Sequence, residues 1–252
     1  MNEALQVLAA SPAHLALACL AAFGASILGG LSGFGTGLVL PVFLVPIVGV
    51  ANVIPVMAVA MLFNNGSRVL AFWREVRWLH ARRMLALGLP ACAAGAYSYS
   101  LLSAGWVALL LGAFLLLSVP LRRLLKRAQF RFSFGAELGA GAAFGFINGG
   151  MTGTGVILIS VLMSVGLQGG ALVATDAVVS VVMGVAKVIL FGSVSALNLR
   201  LALLGLLVGL CTAPGAFVAR ALLVRIPAGI HAWFMELVVV AGAIALLWRA
   251  HW

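Results

Sequence analysis

The chain has 252 residues, of which 64% are hydrophobic and only 8% are charged, and its mean hydropathy is +1.23. Soluble domains carry about 25% charged residues, so this composition excludes a soluble protein and predicts one integral membrane domain over residues 1–252. The net charge of +10 is typical of basic cytoplasmic loops under the positive-inside rule. Aromatic platforms do not accompany the basic runs, which argues against nucleic acid as a partner.

Ten apolar segments follow one another along the chain. They cover residues 13–31, 36–50, 52–72, 84–103, 104–120, 134–150, 154–168, 171–191, 201–217 and 230–248. A membrane-spanning helix needs about 20 apolar residues, so 36–50 and 154–168 are short, and the sequence leaves open whether they span or are re-entrant. The pattern predicts an all-α polytopic membrane protein with eight to ten helices.

Two connections between these segments are strongly basic, 73–83 and 121–133. Both are expected in the cytoplasm, which places the N-terminus outside. In the second, Leu121, Leu124 and Leu125 recur at helical spacing. This spacing is compatible with a short amphipathic helix on the membrane surface, and an ordinary solvated loop is the alternative.

A Gly-rich stretch, GGLSGFGTGLVLP at residues 29–41, is repeated 120 residues later as GGMTGTGVILIS at 149–160. Between 29 and 59, ten of 31 positions are identical at this offset, which indicates a duplicated unit. The two repeats cover about 13–120 and 134–249, with five segments each. Because five is odd, the second copy is predicted to enter the membrane upside down, as in many secondary transporters.

The two Gly-rich stretches are predicted to break helices and to meet near the midplane of the membrane. Helix N-termini that follow such breaks offer N–H groups and a positive dipole end to an anion, and nearby hydroxyls and amides add donors. Tight helix packing is the alternative role of these glycines. The predicted anion-binding residues are Ser32, Gly33, Gly35, Thr36, Asn52, Asn148, Thr152, Gly153, Thr154 and Gly155.

The first motif, its echo GFINGGMTGTGVIL and the basic loop 73–83 together resemble the sulfite exporter TauE/SafE family, also called the 4-toluene sulfonate uptake permease family. The resemblance covers essentially the whole chain. It implies a multi-pass inner-membrane transporter of sulfite, organosulfonates or other small organic anions. The chain departs from a symmetric motif where Gly37 corresponds to Ile157, which leaves symmetric use of the two loops open.

Four charged residues within apolar segments are candidates for coupling or gating. Asp176 and Glu236 are candidate proton-coupling carboxylates, although Asp176 is also explained as an acidic residue in a first helical turn. Arg68 and Lys187 are candidate cations at the two entrances, and snorkelling to the membrane surface is the alternative. Asp176 and Lys187 are about 16 Å apart along one helix, so we expect no direct pair.

The leading hypothesis is a secondary transporter of sulfite or an organosulfonate that works by alternating access, with proton coupling and a homodimer as further expectations. A passive anion channel or uniporter is the alternative. A membrane enzyme or assembly factor is less supported, because the sequence lacks a Ser/His/Asp, Cys/His or metal-ligand constellation. No P-loop motif is present, and no metal or cofactor is expected.

Overall fold

The computed structural model describes residues 12–32, 35–127, 134–222, 240 and 244. Within these residues the chain forms nine α-helices and no β-strand, which confirms the all-helical prediction. The helices are α1 (Pro12–Ser32), α2 (Gly35–Val48), α3 (Val50–Phe72), α4 (Trp78–Ser100), α5 (Ala104–Arg127), α6 (Phe134–Gly150), α7 (Gly155–Ser164), α8 (Gly169–Ser193) and α9 (Leu199–Leu222). Of the tenth predicted segment, 230–248, only residues 240 and 244 are described.

Two of the described helices are long and apolar enough to cross a membrane by length and composition. They are α3 with the turn that follows it (Val50–Glu75) and α8 (Gly169–Ser193). The two helices that follow the Gly-rich motifs are much shorter, with 14 residues in α2 and 10 in α7. They are about 21 and 15 Å long, whereas the hydrocarbon core is about 30 Å thick. Neither can therefore span a bilayer alone.

The second basic connection differs from its prediction. Residues 121–127 are neither a separate surface helix nor a loop, because α5 continues without interruption from Ala104 to Arg127. Leu, Arg and Lys are good helix formers, and Pro120 does not end the helix. In the first connection, a single 3₁₀ turn (Trp73–Glu75) leads into α4, which already begins at Trp78.

The principal packing contacts arrange six helices in the order α1, α9, α3, α8, α4, α6. The short α2 packs on α1 and α3, and the short α7 packs on α6 and α8. When α1 is exchanged with α6, α3 with α8 and α4 with α9, the same order is obtained in reverse, so every helix keeps equivalent neighbours. Those are the pairs that the 120-residue offset predicts, and the helix starts of each pair lie within two residues of that offset.

The buried apolar side chains form two clusters. One is centred on α1, α2 and α3, includes Leu204 and Val208 of α9, and extends to a few side chains of α4, α7 and α8, among them Tyr99 and Phe191. The other contains Met84 of α4, Phe144 of α6, Leu158 of α7 and Met183 of α8. We call α1, α2, α3 and α9 the first bundle, and α4, α6, α7 and α8 the second bundle. Each bundle therefore contains one helix, α9 or α4, from the other half of the sequence.

Glycines bring α4 and α6 into backbone contact within the second bundle. Gly141, Gly145 and Gly149 recur every four residues on α6, and a Cβ on any of them would collide with the α4 backbone. A Cβ at Gly145 would overlap the carbonyl group of Gly88, and one at Gly95 would overlap the carbonyl group of Phe146. Such small-residue seams let membrane helices pack closely. Tight packing, the alternative considered for the Gly-rich motifs, is thus the role of Gly149 in the second motif, and of Gly141 and Gly145 before it.

We expect Gly145→Ala to destabilise the protein by about 1–3 kcal/mol, the usual cost of overpacking, because the backbone of Gly88 cannot yield. Gly139→Ala is the matched control, since it lies on the same helix with nothing within 4 Å of its added Cβ. Thermal unfolding followed by size-exclusion chromatography in detergent measures both variants. Equal midpoints for the two variants would contradict the close α4–α6 contact.

An ionic cluster also joins α4 to the first turn of α6. Glu137 is buried, and its carboxylate oxygens lie 2.7 Å from His80 Nδ1 and 3.1 Å from Arg83 Nη1. The helix dipole explains the position of Glu137 in a first turn, but its two partners are not evident from the sequence. They are found only when α4 and α6 are placed side by side, 54 and 57 residues apart in the chain.

Candidate functional site

The two Gly-rich motifs touch each other between the bundles. A Cβ at Gly37 would lie 2.8 Å from the backbone nitrogen of Gly153, and Thr152 Oγ1 donates a hydrogen bond of 3.0 Å to the carbonyl oxygen of Gly37. Gly153 has a φ of +78°, a conformation that glycine adopts without strain. The two motifs are thus in direct contact, and glycine is required at the contact on both sides.

A cavity of about 60 Å³ lies at this contact. Its walls are one face of α3 and one face of α8, the helices at the centre of the six-helix order, and the two Gly-rich motifs complete it. The lining residues are Thr36, Gly37, Met57, Ala58, Met61, Asn64, Asn65, Arg68, Asn148, Thr152, Gly153, Thr154, Gly155, Asp176, Ser180, Gly184 and Lys187. We call this the central pocket. Within the described part of the chain, it contains most of the residues that the sequence singled out.

The three described threonines of the motifs are not free donors, in contrast to the prediction. Thr36 Oγ1 donates to the carbonyl oxygen of Ala25, Thr152 Oγ1 to that of Gly37, and Thr154 Oγ1 to Asn148 Oδ1 at 2.7 Å. A buried hydroxyl needs such a partner, so these side chains hold the motifs in shape. The N-termini of α2 and α7, at Gly35 and Gly155, follow directly after the two breaks.

Lys187 is buried in the central pocket, with 8% of its surface exposed. Its ammonium group donates a hydrogen bond of 2.9 Å to the backbone carbonyl oxygen of Asn148. No carboxylate of the described residues lies within ion-pair distance of it. The snorkelling interpretation is therefore wrong, because Lys187 points inward and crosses to the Gly-rich motif.

Arg68 is also buried rather than snorkelling. Its Nη2 lies 2.9 Å from Asp176 Oδ2, and the two side chains are 8% and 2% exposed. Arg68 Nη1 donates to Asn65 Oδ1 at 3.2 Å. Asp176 is not in a first helical turn, because α8 begins at Gly169, so the dipole explanation fails too. As expected, Asp176 does not pair with Lys187.

Two amides in the pocket have only weak acceptors. Asn64 Nδ2 reaches Met61 Sδ at 4.0 Å, and Asn148 Nδ2 reaches Met183 Sδ at 3.6 Å and Cys92 Sγ at 3.9 Å. Sulfur is a poor acceptor. These two amides therefore have N–H groups that a bound anion could accept from in place of sulfur.

Three predicted site residues are not part of the pocket lining, and two are not described. Asn52 Nδ2 donates to the carbonyl oxygen of Val48, which joins α2 to α3. Gly35 begins α2, and Ser32 ends α1. Gly33 and Glu236 lie outside the described residues. The site prediction omitted Gly37, Met57, Ala58, Met61, Asn64, Asn65, Ser180 and Gly184. Helical spacing could have identified several of them, because 57, 61, 64 and 68 share one face of α3.

A second, wider cavity of about 710 Å³ lies beside the first basic connection. Its lining includes Arg77, His80, Gln168 and Ala171, where the start of α4 meets the start of α8. The backbone N–H of Arg77 donates to Thr175 Oγ1 at 3.0 Å, next to Asp176. We call this the basic-loop cavity. The Arg68–Asp176 pair belongs to the end of the central pocket nearest to it.

Among residues 12–32, 35–127 and 134–222, no three His, Cys, Asp or Glu side chains come together in a way that could hold a metal ion.

A family model described as sulfite exporter TauE/SafE matches residues 18–246, nearly the whole chain. The comparisons with curated proteins and with solved structures give no match.

Proposed function

The chain belongs to the sulfite exporter TauE/SafE family, and from this premise we propose that it is a secondary transporter of sulfite or a small organosulfonate. The single observation that supports this site most strongly is that Lys187 is a buried cation without a carboxylate partner in the described chain. An unpaired buried charge is costly. A bound anion would remove that cost.

The charge of the central pocket favours an anion of low charge. Arg68 and Lys187 contribute two positive charges and Asp176 one negative charge, which leaves one net positive charge when all three are ionised. The donors of Asn64 and Asn148 and the N-terminus of α7 at Gly155 add to the attraction. We propose that the anion lies between Lys187 and the Gly-rich motif at Gly153.

The size of the pocket supports a small substrate. Pockets for drug-sized ligands measure about 300–1,000 Å³, whereas the central pocket measures about 60 Å³, room for only a few water-sized groups. Sulfite or a short sulfonate suits this volume better than an aromatic sulfonate. The inner membrane is the proposed location, with the basic connections in the cytoplasm.

We propose that transport proceeds by alternating access, with the first and second bundles rocking against each other around the pocket. The position of the pocket between α3 of the first bundle and α8 of the second supports this division. The symmetric helix order supports two repeats of inverted orientation. On this proposal the moving bodies are not the two halves of the sequence, because α4 and α9 are exchanged between them.

Cross-links distinguish motion between bundles from motion between sequence halves. A Cβ at Gly184 of α8 would lie 2.8 Å from Leu62 Cδ2 of α3, so Leu62→Cys with Gly184→Cys allows a bridge between bundles. We expect oxidation of this pair to stop transport and reduction to restore it. In the first bundle, the thiols of Cys19 on α1 and Cys211 on α9 are in contact, and bridging them with a bifunctional thiol reagent should leave transport intact. Loss of transport there would contradict rigid bundles, since α1 and α9 come from different halves.

Transport itself is tested with purified protein in liposomes and a panel of sulfite, taurine, isethionate, sulfoacetate, sulfate and acetate. Accumulation against a concentration gradient, driven by a pH gradient or by counterflow of unlabelled anion, identifies a transporter and its substrate. Flux that only equalises concentrations would favour a channel. No flux for any anion from folded protein would overturn the proposal.

A further inference from the structure

We propose that the Arg68–Asp176 ion pair is a proton-controlled gate at the basic-loop end of the central pocket, and that the transported anion replaces Asp176 as the partner of Arg68 on its way between the basic-loop cavity and the site beside Lys187. The proposal rests on the proposed function. The gate extends the proposed function by assigning the coupling ion, the direction of coupling and the charge moved in each transport cycle.

The position of the pair is that of a gate. Arg68 belongs to α3 of the first bundle and Asp176 to α8 of the second, so their 2.9 Å contact joins the two bodies proposed to move. Arg68 lies about one turn before α3 ends at Phe72, and Asp176 lies two turns into α8. The basic-loop cavity begins at the next residues, Val76 and Arg77 on one side and Ala171 on the other. Separation of the bundles at this end must break the pair.

The pair is also incompletely satisfied. Asp176 Oδ1 and Arg68 Nη2 are buried without a hydrogen-bond partner, although Nη2 is within ion-pair distance of Oδ2. A well-made guanidinium–carboxylate pair is bidentate, with two parallel hydrogen bonds. The oxygens of a sulfonate or sulfite present the same fork of acceptors to Arg68. Asp176 and the anion are therefore alternative ligands of one guanidinium.

Protonation of Asp176 determines whether Asp176 or the anion binds Arg68. A proton from the basic-loop cavity converts the Asp176 carboxylate into a neutral acid, which leaves Arg68 as an unpaired buried cation. A charge exposed in this way is strongly unfavourable, so anion binding follows proton binding. Once the anion has moved on to Lys187 and leaves on the opposite side, Arg68 is free, and Asp176 returns its proton as the pair forms again. Proton and anion consequently travel in the same direction.

The charges balance for a monoanion. The empty pocket holds Arg68, Lys187 and ionised Asp176, with one net positive charge. The loaded pocket holds both cations, neutral Asp176 and one monoanion, which again leaves one net positive charge. Transport of a monoanion with one proton is thus electroneutral, so a pH gradient should drive it and a membrane potential should not.

Other ionisable groups near the gate have separate partners or positions. Glu75 lies against Gly170 at the exposed start of α8, and Arg77 is exposed in the connection. His80 is bonded to Glu137. On α8 itself, Lys187 lies about 16 Å further along the axis, and Cys92 of α4 contacts the amide of Asn148 near it. Within the described chain, Asp176 is thus the carboxylate that faces Arg68.

The test uses wild-type protein, Asp176→Asn and Glu75→Gln in liposomes. Glu75→Gln is the matched control, because it makes the same carboxylate-to-amide change on an exposed side chain. The probe is isethionate, whose sulfonate keeps one negative charge at every pH used, with sulfite in parallel. We expect a pH gradient to drive accumulation by the wild type and Glu75→Gln, and a potassium diffusion potential at equal pH to drive none. Asp176→Asn should lose accumulation completely yet retain anion exchange.

Each result decides the proposal. Accumulation by Asp176→Asn equal to that of the wild type would overturn it. Uptake by the wild type that follows the membrane potential, or that ignores the pH gradient while exchange continues, would overturn the gate and leave the proposed function standing. These wild-type measurements remain decisive if Asp176→Asn fails to fold. Absence of any flux or exchange of isethionate and sulfite by the folded wild type would overturn the proposed function and the gate with it.

Discussion

Lys187→Met is expected to raise the anion concentration needed for half-maximal transport by about 10- to 100-fold. Hydrogen bonds to charged groups contribute about 1.5–3 kcal/mol, and every 1.4 kcal/mol is a factor of about ten in affinity. Methionine keeps the length of the side chain and is readily buried, so the fold should persist. Concentration-dependent uptake into liposomes, measured with sulfite and isethionate, gives the change directly.

Arg200→Gln is the control for a general effect of charge. It removes a positive charge at an exposed position in the first turn of α9, away from the residues that line the central pocket. Its half-saturating concentration should equal that of the wild type. If Lys187→Met also had the half-saturating concentration of the wild type, Lys187 would not bind the anion, and the proposed site would lose its main support.

Gly153→Val is expected to reduce transport to the level of empty liposomes. A Cβ at this position would overlap the side chain of Leu38 and lie 3.1 Å from the carbonyl oxygen of Gly37. The larger side chain would therefore push apart the two motifs that close the central pocket. The backbone adds a cost, because φ is +78° and an L side chain there is disfavoured by about 1–2 kcal/mol.

Gly49→Val separates the backbone cost from the effect on the site. Gly49 has a φ of +77° and nothing within 4 Å of an added Cβ, so it carries the same backbone strain outside the motif contact. We expect it to lower thermal stability by that backbone cost alone while transport continues. Wild-type flux through folded Gly153→Val protein would contradict a substrate path along the Gly37–Gly153 contact.

The sequence was most informative about the helices and their repetition. Hydropathy located nine described helices, and the 120-residue offset paired Gly35 with Gly155 at the starts of α2 and α7. Both features depend on local composition, which a single sequence contains. The end of α5 was harder to place, because 121–127 is basic in composition and yet continues an unbroken helix.

The partners of the charged residues could not be predicted in the same way. Arg68 and Asp176 are 108 positions apart, and their pair exists only because α3 and α8 are neighbours at the centre of the helix order. Each residue alone was explained by snorkelling or by a helix dipole. The hydroxyls of Thr36, Thr152 and Thr154 were wrongly predicted to bind the anion for a related reason. The residue type shows that a hydroxyl can donate a hydrogen bond, but not which acceptor in the protein it already donates to.

The central claim is that a small anion binds between Lys187 and the Gly-rich motif at Gly153. Its most direct test is a crystal structure of the protein soaked in selenite, a heavier analogue of sulfite whose selenium atom is located by anomalous scattering. The account predicts one oxyanion in the central pocket, with an oxygen about 2.7–2.9 Å from Lys187 Nζ, the length of a charge-assisted hydrogen bond. A central pocket without selenium at saturating concentration would contradict it.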